Sequence, residues 1–391
     1  MSDEVTLTGT VEMTVRAEPL EKLVRNYTKA LEYMVCEILG EPDVFGRWRY
    51  IKRTKRIKWE PDIKEIHYLF YGLLKEDFGL PAKFAIACER EASMVVKSIL
   101  NNRNNRDRKF TIKSYRARCD NQSYTIRVEG NKCHLRLQGL GWFEVNGFNK
   151  KWFEKYREWT YGDLILKLHK GCIKLYVTLK KVVRIHPSKN AIAVDMNFNE
   201  VVAGNEKGEL RVKTPLQRIM HIKKNHIEKT QKRYNRQWRY VKGIGLAISR
   251  WWGRINGITS DFVRQVSRKV VLFAREQGCD TIVLEDLNGL RDKQSKMKKP
   301  WRERFTFFAY RKLQSWIEWQ GKKMGLAVVF VDPRNTSRIC PSCKSLNTEF
   351  EDRTLICRDC GFKVDRDTAA IRNLTNKWLE MWGVRVHPER G

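Results

Sequence analysis

Three acidic residues occupy positions at which carboxylates can hold divalent metal ions. Asp195 and Glu285 each end a short apolar run of strand type, and Asp367 lies in the first turn of a predicted C-terminal helix. Burying a carboxylate is costly unless it is paired or binds a metal, and Mg²⁺ prefers oxygen ligands. If the three acids meet, they can hold two Mg²⁺ ions, the arrangement that supports in-line phosphoryl displacement.

Each of these acids also has an ordinary structural interpretation. Asp195 suits a turn before Asn197, and Glu285 suits a charged strand end. Asp367 is favoured in a first turn by the helix dipole, and Asp365 has the pattern of an N-cap. Because the sequence does not bring the acids together in space, both interpretations stay open, with Asp365 as the alternative to Asp367.

Four of the ten cysteines form two Cys-x-x-Cys pairs, Cys340 with Cys343 and Cys357 with Cys360. Two such pairs, thirteen residues apart, predict one closed tetrahedral site for a structural Zn²⁺ ion. Two redox pairs or unrelated thiols are the alternative. Basic residues such as Arg338 surround the pairs. The module therefore either contacts nucleic acid or serves only as a clip that stabilises the fold.

The composition indicates a polyanionic partner. The 391-residue chain carries 77 Lys and Arg against 45 Asp and Glu, a net charge of +32. Repulsion among so many positive charges opposes a compact fold. Nucleic acid is the class of polyanionic partner that best neutralises them. We expect no membrane span, because no apolar run reaches about 18 residues, and no secretory signal. The six scattered cysteines favour a reducing, intracellular compartment.

Three basic segments carry the predicted nucleic-acid contacts, because clustered charge suits phosphates and neighbouring aromatic rings suit base stacking. In the second segment the charges recur at helical spacing and form one predicted positive stripe, for which a solvated charged face is the alternative. The third segment follows the Glu285 strand and is placed to act as a mobile lid. The candidate residues are Arg47, Arg49, Lys52, Arg53, Lys55 and Arg56 in the first segment, Lys229, Lys232, Arg233, Arg236 and Arg239 in the second, and Lys298 and Lys299 in the third, together with Arg338.

Hydrophobic periodicity predicts the elements that position these residues. The chain starts with a predicted strand at 6–15, followed by a helical unit at 20–105 and by an antiparallel sheet or barrel at 108–183 that the first strand joins. From about residue 190 strands and helices alternate, which predicts a mixed α/β architecture. Local predictions include a loop at 47–58, a strand at 110–115, a long helical region at 215–278, a helix at 305–324 and a final helix at 365–382.

Taken together and in this order, several motifs resemble those of the TnpB nucleases of insertion sequences, relatives of the compact type V CRISPR effectors. The motifs are Ala193-Val-Asp195, Val283-Leu-Glu-Asp-Leu287, Thr336 to Cys343, Cys357-Arg-Asp-Cys-Gly361 and Asp365-Arg-Asp367. The resemblance implies a multidomain protein with a C-terminal RuvC domain of RNase H-like fold, a zinc-ribbon insert, and an N-terminal wedge β-barrel carrying an inserted helical recognition domain. The implied bounds are 1–19 and 107–186 for the wedge, 20–106 for the recognition domain, 187–335 and 364–391 for the nuclease, and 336–363 for the zinc-binding insert.

The same resemblance implies a function. Asp195, Glu285 and Asp367 would be the RuvC metal ligands, and the four cysteines would hold zinc in an insert that binds the target nucleic acid. The protein would be a Mg²⁺-dependent, RNA-guided DNA endonuclease. It would bind a guide RNA and target double-stranded DNA and would read a short flanking motif. We expect it in the nucleoid-associated cytoplasm of a prokaryotic cell, with a monomer favoured.

Three alternatives stay open at this point: a nuclease-inactive guided repressor, an RNA-free transposition accessory nuclease, and a compact CRISPR effector. The chain also departs from the family pattern in three places. Lys344 stands where family members often carry glycine, Ala369 where they often carry asparagine, and Met196 directly follows the first acid. None of these departures removes a proposed ligand.

Overall fold

The computed structural model describes residues 3–52, 56–102, 110–146, 150–287, 298–307 and 309–383. The chain forms two compact units, Thr6–Lys181 and Val182–Gly391 with Met1–Val5. The mixed α/β architecture predicted from the sequence is confirmed. Within the described ranges, no helix has the length and apolar character needed to cross a bilayer.

Two β-sheets form the frame of the N-terminal unit. Their strands are β1 (Asp3–Val15), β4 (Arg116–Cys119), β5 (Tyr124–Glu129), β6 (Lys132–Leu137), β7 (Gly141–Glu144), β8 (Thr160–His169) and β9 (Cys172–Ile185), whereas β2 (Gly46–Ile51) and β3 (Arg56–Pro61) pair separately. The larger sheet has the order β1-β9-β8-β4, so the N-terminal strand joins it as predicted. The smaller sheet, β5-β6-β7, is tied to β1 through a bridge between Thr14 and Asn146. These two sheets occupy the residues that the resemblance assigns to the wedge β-barrel, which stays a prediction.

The helices α1 (Glu18–Gly40), α2 (Ile63–Glu76) and α3 (Ala82–Leu100) lie in sequence between β1 and β4, and α4 (Lys150–Lys155) precedes β8. The core of this helical unit lies between α1 and α3. Tyr27 of α1 is fully buried and packs edge-on against Phe84 of α3. Because β1 and β4 belong to one sheet, the helices are an insertion into it.

The prediction of a basic loop at 47–58 is wrong, because β2 and β3 form an antiparallel hairpin there. Trp48 pairs across the hairpin with Trp59, and Trp59 is buried. Packing of Trp59 fixes the register of a segment that composition alone marks as loop.

The strand predicted at 110–115 is also wrong. These residues form no strand, and the N–H of Ile112 lies 3.4 Å from the carboxylate of Glu32 in α1. The chain enters the sheet only at Arg116. In contrast, β7 is a strand of four residues that the sequence analysis missed.

A mixed five-stranded sheet forms the centre of the C-terminal unit. Its strands are β10 (Ala191–Met196), β11 (Glu200–Asn205), β12 (Gly208–Lys213), β13 (Thr281–Glu285) and β14 (Ala327–Val331). Their spatial order is β12-β11-β10-β13-β14. The first three strands are antiparallel neighbours, whereas β10, β13 and β14 are parallel. The sheet thus combines a local meander with two crossover strands, each of which follows a helical segment.

The helices of this unit cover both faces of the sheet. They are α5 (Leu216–Ile222), a π-helix (Lys223–Glu228), α6 (Lys229–Arg233), a 3₁₀ segment (Asn235–Arg239), α7 (Ile244–Glu276), α8 (Lys299–Phe307), α9 (Tyr310–Lys323) and α10 (Arg366–Met381). Apolar residues of α7 and α9 pack on the face that includes Ile192 and Val194. Ile371 and Leu374 of α10 pack on the opposite face. A three-stranded sheet of β15 (Thr348–Glu351), β16 (Thr354–Cys357) and β17 (Lys363–Asp365) precedes α10.

Two helix predictions in this unit need correction. The single helix predicted at 305–324 is two helices, because Ala309 leaves the helical backbone (ψ 46°) between α8 and α9. The positive stripe predicted on one helix is interrupted. Asn235 has a left-handed backbone (φ 49°) that ends α6, so Arg239 lies in a separate 3₁₀ segment.

Candidate active site and metal centre

Asp195 and Glu285 lie at matching ends of neighbouring parallel strands. The register of β10 and β13 places Val194 opposite Leu284. The next residue on each strand is the acid, so strand geometry brings the two carboxyl groups to one edge of the sheet. The apolar runs predicted from the sequence are thus what position them.

Both acids face α10. Side chains alternate along a strand, and Ala193 and Val283, two residues before the acids, belong to the core beneath α10. Asp367 lies in the first turn of α10 and is only 4% exposed. The helix start and the two strand ends therefore converge on the same edge of the sheet.

Burial and neighbouring charged groups shift the pKa values of these acids. Burial and the negative charges of Glu285 and Asp367 raise the pKa of Asp195 to about 7. Burial also raises the pKa of Glu285, against a hydrogen bond from the Thr336 hydroxyl. For Asp367, burial raises the pKa while the charge of Arg353 opposes the shift. A divalent cation would relieve this repulsion, and the all-carboxylate donor set fits Mg²⁺.

The structure separates the roles of Asp365 and Asp367. The Asp365 carboxylate caps α10 by accepting the N–H groups of Asp367 (3.1 Å) and Thr368 (3.3 Å). It also accepts a 2.7 Å hydrogen bond from Arg211 of β12. Burial acts to raise the pKa of Asp365, but the bonds from Arg211 and the helix N–H groups outweigh it and lower the pKa. Asp365 is thus already satisfied by the protein.

Two side chains at this edge were not predicted from the sequence. Arg353, in the turn between β15 and β16, donates hydrogen bonds to Asp367 and to Glu200 of β11 (2.7 Å for the latter). Glu200 lies two residues before Val202, which belongs to the core beneath α10. Strand alternation would have identified Glu200. No local pattern marks Arg353, because its contacts depend on how the zinc-binding segment folds back.

The four predicted zinc ligands lie together. Their sulfur atoms all lie within 4.8 Å of one another. Sγ of Cys340 is 3.6 Å from that of Cys360, and Sγ of Cys343 is 3.5 Å from that of Cys357. Zn–S bonds of about 2.3 Å in a tetrahedron place sulfurs roughly 3.8 Å apart. The cluster therefore fits one Zn²⁺ ion, and it leaves no open position for catalysis.

Comparison with known proteins shows what this chain is similar to. The family model of the Cas12f1-like TNB domain matches residues 310–374. The TnpB-like protein MJ0751 of Methanocaldococcus jannaschii is 27% identical over 279 residues, which cover 68% of this chain and 97% of that protein. The chain is therefore similar to TnpB-like proteins.

Two further similarities extend this comparison. The CRISPR-associated endodeoxyribonuclease Cas12f1 of Sulfoacidibacillus thermotolerans is 32% identical over 110 residues, 28% of this chain and 24% of that protein. The cryo-EM structure of a Cas12f1-sgRNA-target DNA complex matches with a TM-score of 0.61 at 14% identity, covering 92% of this chain and 83% of that chain. This likeness shows a shared fold, and the homologues support a nuclease.

Lys344 is one of the positions at which the chain departs from the pattern of the TnpB family. It follows the second cysteine with a left-handed backbone (φ 62°), the region in which glycine carries no side-chain strain. Gly361 occupies the equivalent position after Cys360 (φ 71°). The Nζ atom of Lys344 lies 2.5 Å from the Glu380 carboxylate, an exposed ion pair that offsets little of the strain.

We expect Lys344→Gly to raise the free energy of unfolding of the zinc-loaded protein by about 0.5–1 kcal/mol, because glycine relieves the left-handed strain. Lys344→Ala is the matched control, since it loses the same ion pair but keeps the Cβ. Denaturant unfolding of the three proteins measures the effect. Equal stability of the glycine and alanine variants would contradict the strain argument.

The predicted nucleic-acid residues lie on several separate elements. In the hairpin, Arg47 and Arg49 lie on the face opposite to Trp48 and Tyr50 and approach acids no closer than 3.7 Å. The residues Lys52, Lys229, Lys232, Arg233, Arg239, Lys298 and Arg338 are exposed. Arg53 and Lys55 lie outside the described residues, and the side chains of Arg56, Arg236 and Lys299 are likewise not described.

Proposed function

We propose that this chain is an RNA-guided DNA endonuclease of the TnpB type, which uses Mg²⁺ to hydrolyse phosphodiester bonds of target DNA beside a short flanking motif. The observation that carries the proposal is the convergence of Asp195, Glu285 and Asp367 on one sheet edge. The C-terminal unit would be the RuvC-like nuclease, with the bounds 187–335 and 364–391. Residues 336–363 would be the insert that binds target nucleic acid.

The three carboxylates would hold the ions. When bound, Mg²⁺ at this position supplies Lewis-acid activation of the phosphate and of the attacking water. Thr336 orients Glu285 through a 3.2 Å hydrogen bond to its carboxylate. Arg353 is half exposed beside Asp367, where a guanidinium can pair with phosphate oxygens once the carboxylates turn to the ions.

The N-terminal unit would supply the wedge, 1–19 and 107–186, and the helical recognition domain, 20–106. The exposed cations of the hairpin and of α6 would contact the guide RNA or target duplex, because the net charge of +32 favours phosphate binding. Base pairing between guide and target would supply the sequence specificity. The protein would act as a monomer in the cytoplasm of a prokaryotic cell, at the nucleoid.

Expression of the chain with its own flanking genomic DNA tests the proposal. We expect one dominant non-coding RNA, with a variable end, to co-purify with the protein. The purified complex should cut double-stranded DNA that matches the variable end, and only with divalent metal. Co-purification of heterogeneous RNA that is removed by high salt would contradict the binding of a specific guide RNA. Guided binding without cleavage would identify a repressor, and cleavage without RNA would identify an accessory nuclease.

The raised pKa of Asp195 predicts pH-dependent metal binding. With a pKa of about 7, the carboxyl carries a proton below pH 7, and an incoming ion must displace it. The apparent affinity for Mn²⁺, a spectroscopic substitute for Mg²⁺, should therefore fall about tenfold per pH unit below 7 and level off above 8. Electron paramagnetic resonance titrations at pH 6, 7 and 8 measure this. Equal affinity at pH 6 and pH 8 would contradict the prediction.

A further inference from the structure

A cavity lined mainly by polar and charged residues lies in the C-terminal unit, away from the three carboxylates. Its volume is about 380 Å³, within the range of ligand-binding pockets. Five segments line it. They are the start of β10 with the residues just before it, the β11–β12 turn, the zinc knuckle at Pro341 and Ser342, Phe362, and the part of α10 from Arg372 to Leu379.

Positive charge dominates the lining. Lys189, Lys207 and Arg372 line the cavity, against a single acid, Glu206. Within the described part of the chain, none of the three cations forms an ion pair with a carboxylate. Arg211 and Arg353 at the sheet edge, in contrast, are each paired with several acids. The cavity therefore offers cations that the protein does not neutralise.

The walls of the cavity are fixed in place. The Asn190 amide donates to the Gly278 carbonyl (2.5 Å), and the Asn376 amide donates to the Pro341 carbonyl (3.3 Å). The guanidinium of Arg372 lies 5.8 Å from the centre of the Phe362 ring. A planar cation beside an aromatic ring suits a nucleobase, while the two lysines suit its phosphate.

The cavity lies at a defined distance from the carboxylates. The lining residues of α10, from Arg372 to Leu379, follow Asp367 by five to twelve residues, or about 8 to 18 Å of helix, with Thr375 about 12 Å away. Ala191, also in the lining, precedes Asp195 by four residues, or about 13 Å of strand. The distance along the strand falls within the range along the helix. This distance corresponds to roughly three to four stacked nucleotides at 3.4 Å each.

We infer that this cavity binds one nucleotide of the single DNA strand that is being cut, three to four positions from the scissile phosphate. The inference rests on the proposed function for the identity of the strand. The cations hold the phosphate, and the Phe362–Arg372 wall packs against the base. The cavity thus sets which phosphate reaches the carboxylates.

Binding in the absence of cleavage tests the cavity by itself. The probe is a fluorescein-labelled 12-nucleotide single-stranded DNA, titrated without divalent metal against the purified Asp195→Asn protein by anisotropy. Adding Lys189→Ala and Lys207→Ala should weaken binding about tenfold at low salt and reduce the salt slope by roughly 1.4. Adding Lys269→Ala and Arg268→Ala instead removes two exposed charges of α7, outside the cavity, and is the matched control. Equal loss in the two double variants would overturn the inference.

A positional test uses the cleavage reaction. Single methylphosphonate linkages, which lack the phosphate charge, are placed one by one along the cut strand. A linkage three to four nucleotides from the cut should slow the wild type about tenfold and leave the Lys189→Ala, Lys207→Ala variant unaffected. Absence of any such position would overturn the inference. So would displacement of the oligonucleotide by millimolar inorganic phosphate, which would identify a site for free anions. If no DNA is cut at all, the proposed function fails, while the anisotropy result still decides whether the cavity binds DNA.

Discussion

The Asp195→Asn protein should cleave target DNA at least about 10³-fold more slowly than the wild type, because it loses a carboxylate that would hold the ions. Binding of guide RNA and target DNA should stay within about twofold, since the substitution changes no exposed cation. Single-turnover cleavage with a radiolabelled target measures the first quantity, and filter binding measures the second. A cleavage rate within tenfold of the wild-type rate would contradict the assignment of Asp195 as a ligand of the catalytic metal ions.

The same variant should be more stable than the wild type in the absence of metal. The pKa of Asp195 is about 7 in the folded protein, well above its value in an unfolded chain. The folded state therefore binds the extra proton between about pH 4 and 7, and the stability that this residue contributes is lost as the pH rises through 7. An asparagine side chain does not ionise, so the variant does not lose this stability. Its free energy of unfolding at pH 8 should be about 1–3 kcal/mol higher than that of the wild type. The gain should vanish at pH 4.

Asp365→Asn is the matched control for the assignment of the third ligand. It alters the cap of α10 and the pair with Arg211, so it should reduce stability by about 0.5–1 kcal/mol. Its cleavage rate should fall far less than that of Asp367→Asn. The reverse order of the two rates would make Asp365 the ligand.

Removal of zinc should have the second large effect. Structural zinc sites contribute about 10–16 kcal/mol of apparent binding free energy, and residues 340–360 have little apolar core of their own, with Leu355 as one of their few fully buried apolar side chains. Cys343→Ser should abolish stoichiometric zinc and unfold the insert. Cleavage should be lost as well, because Arg353 lies within the insert and contacts Asp367.

Atomic absorption gives the zinc content, with one ion per chain expected for the wild type. Cys36→Ser is the control, because Cys36 is an exposed cysteine far in sequence from the cluster. Hydrogen exchange of the insert, compared between the two variants, reports its folding. A Cys343→Ser protein that retains one zinc ion and normal protection of the insert would contradict the assignment.

Local patterns predicted those parts of the site that local geometry determines. Apolar runs predicted the strands that end at Asp195 and Glu285, and cysteine spacing predicted the cluster. The pairing of Arg353 with Glu200 could not be predicted, because the two residues are 153 positions apart in sequence. Long-range contacts of this kind leave no periodicity to detect.

The wrong predictions share a physical reason. Charge density suggested a loop at 47–58, but the burial of Trp59 stabilises a hairpin there. Helical spacing suggested one continuous stripe, but the left-handed Asn235 interrupts the backbone. In both places one residue with a specific packing or backbone requirement overrode the average character of the segment.

The position of α10 has a consequence for the timing of protein synthesis. The sheet strands that end at Asp195 and Glu285 leave the ribosome long before Asp367 does, and α10 spans Arg366–Met381 of a 391-residue chain. A nascent or prematurely released chain therefore contains the N-terminal cations but lacks the third carboxylate. Under the proposed function, incomplete translation products would hold nucleic acid without cutting it, and cleavage would require synthesis to have passed Asp367 in α10.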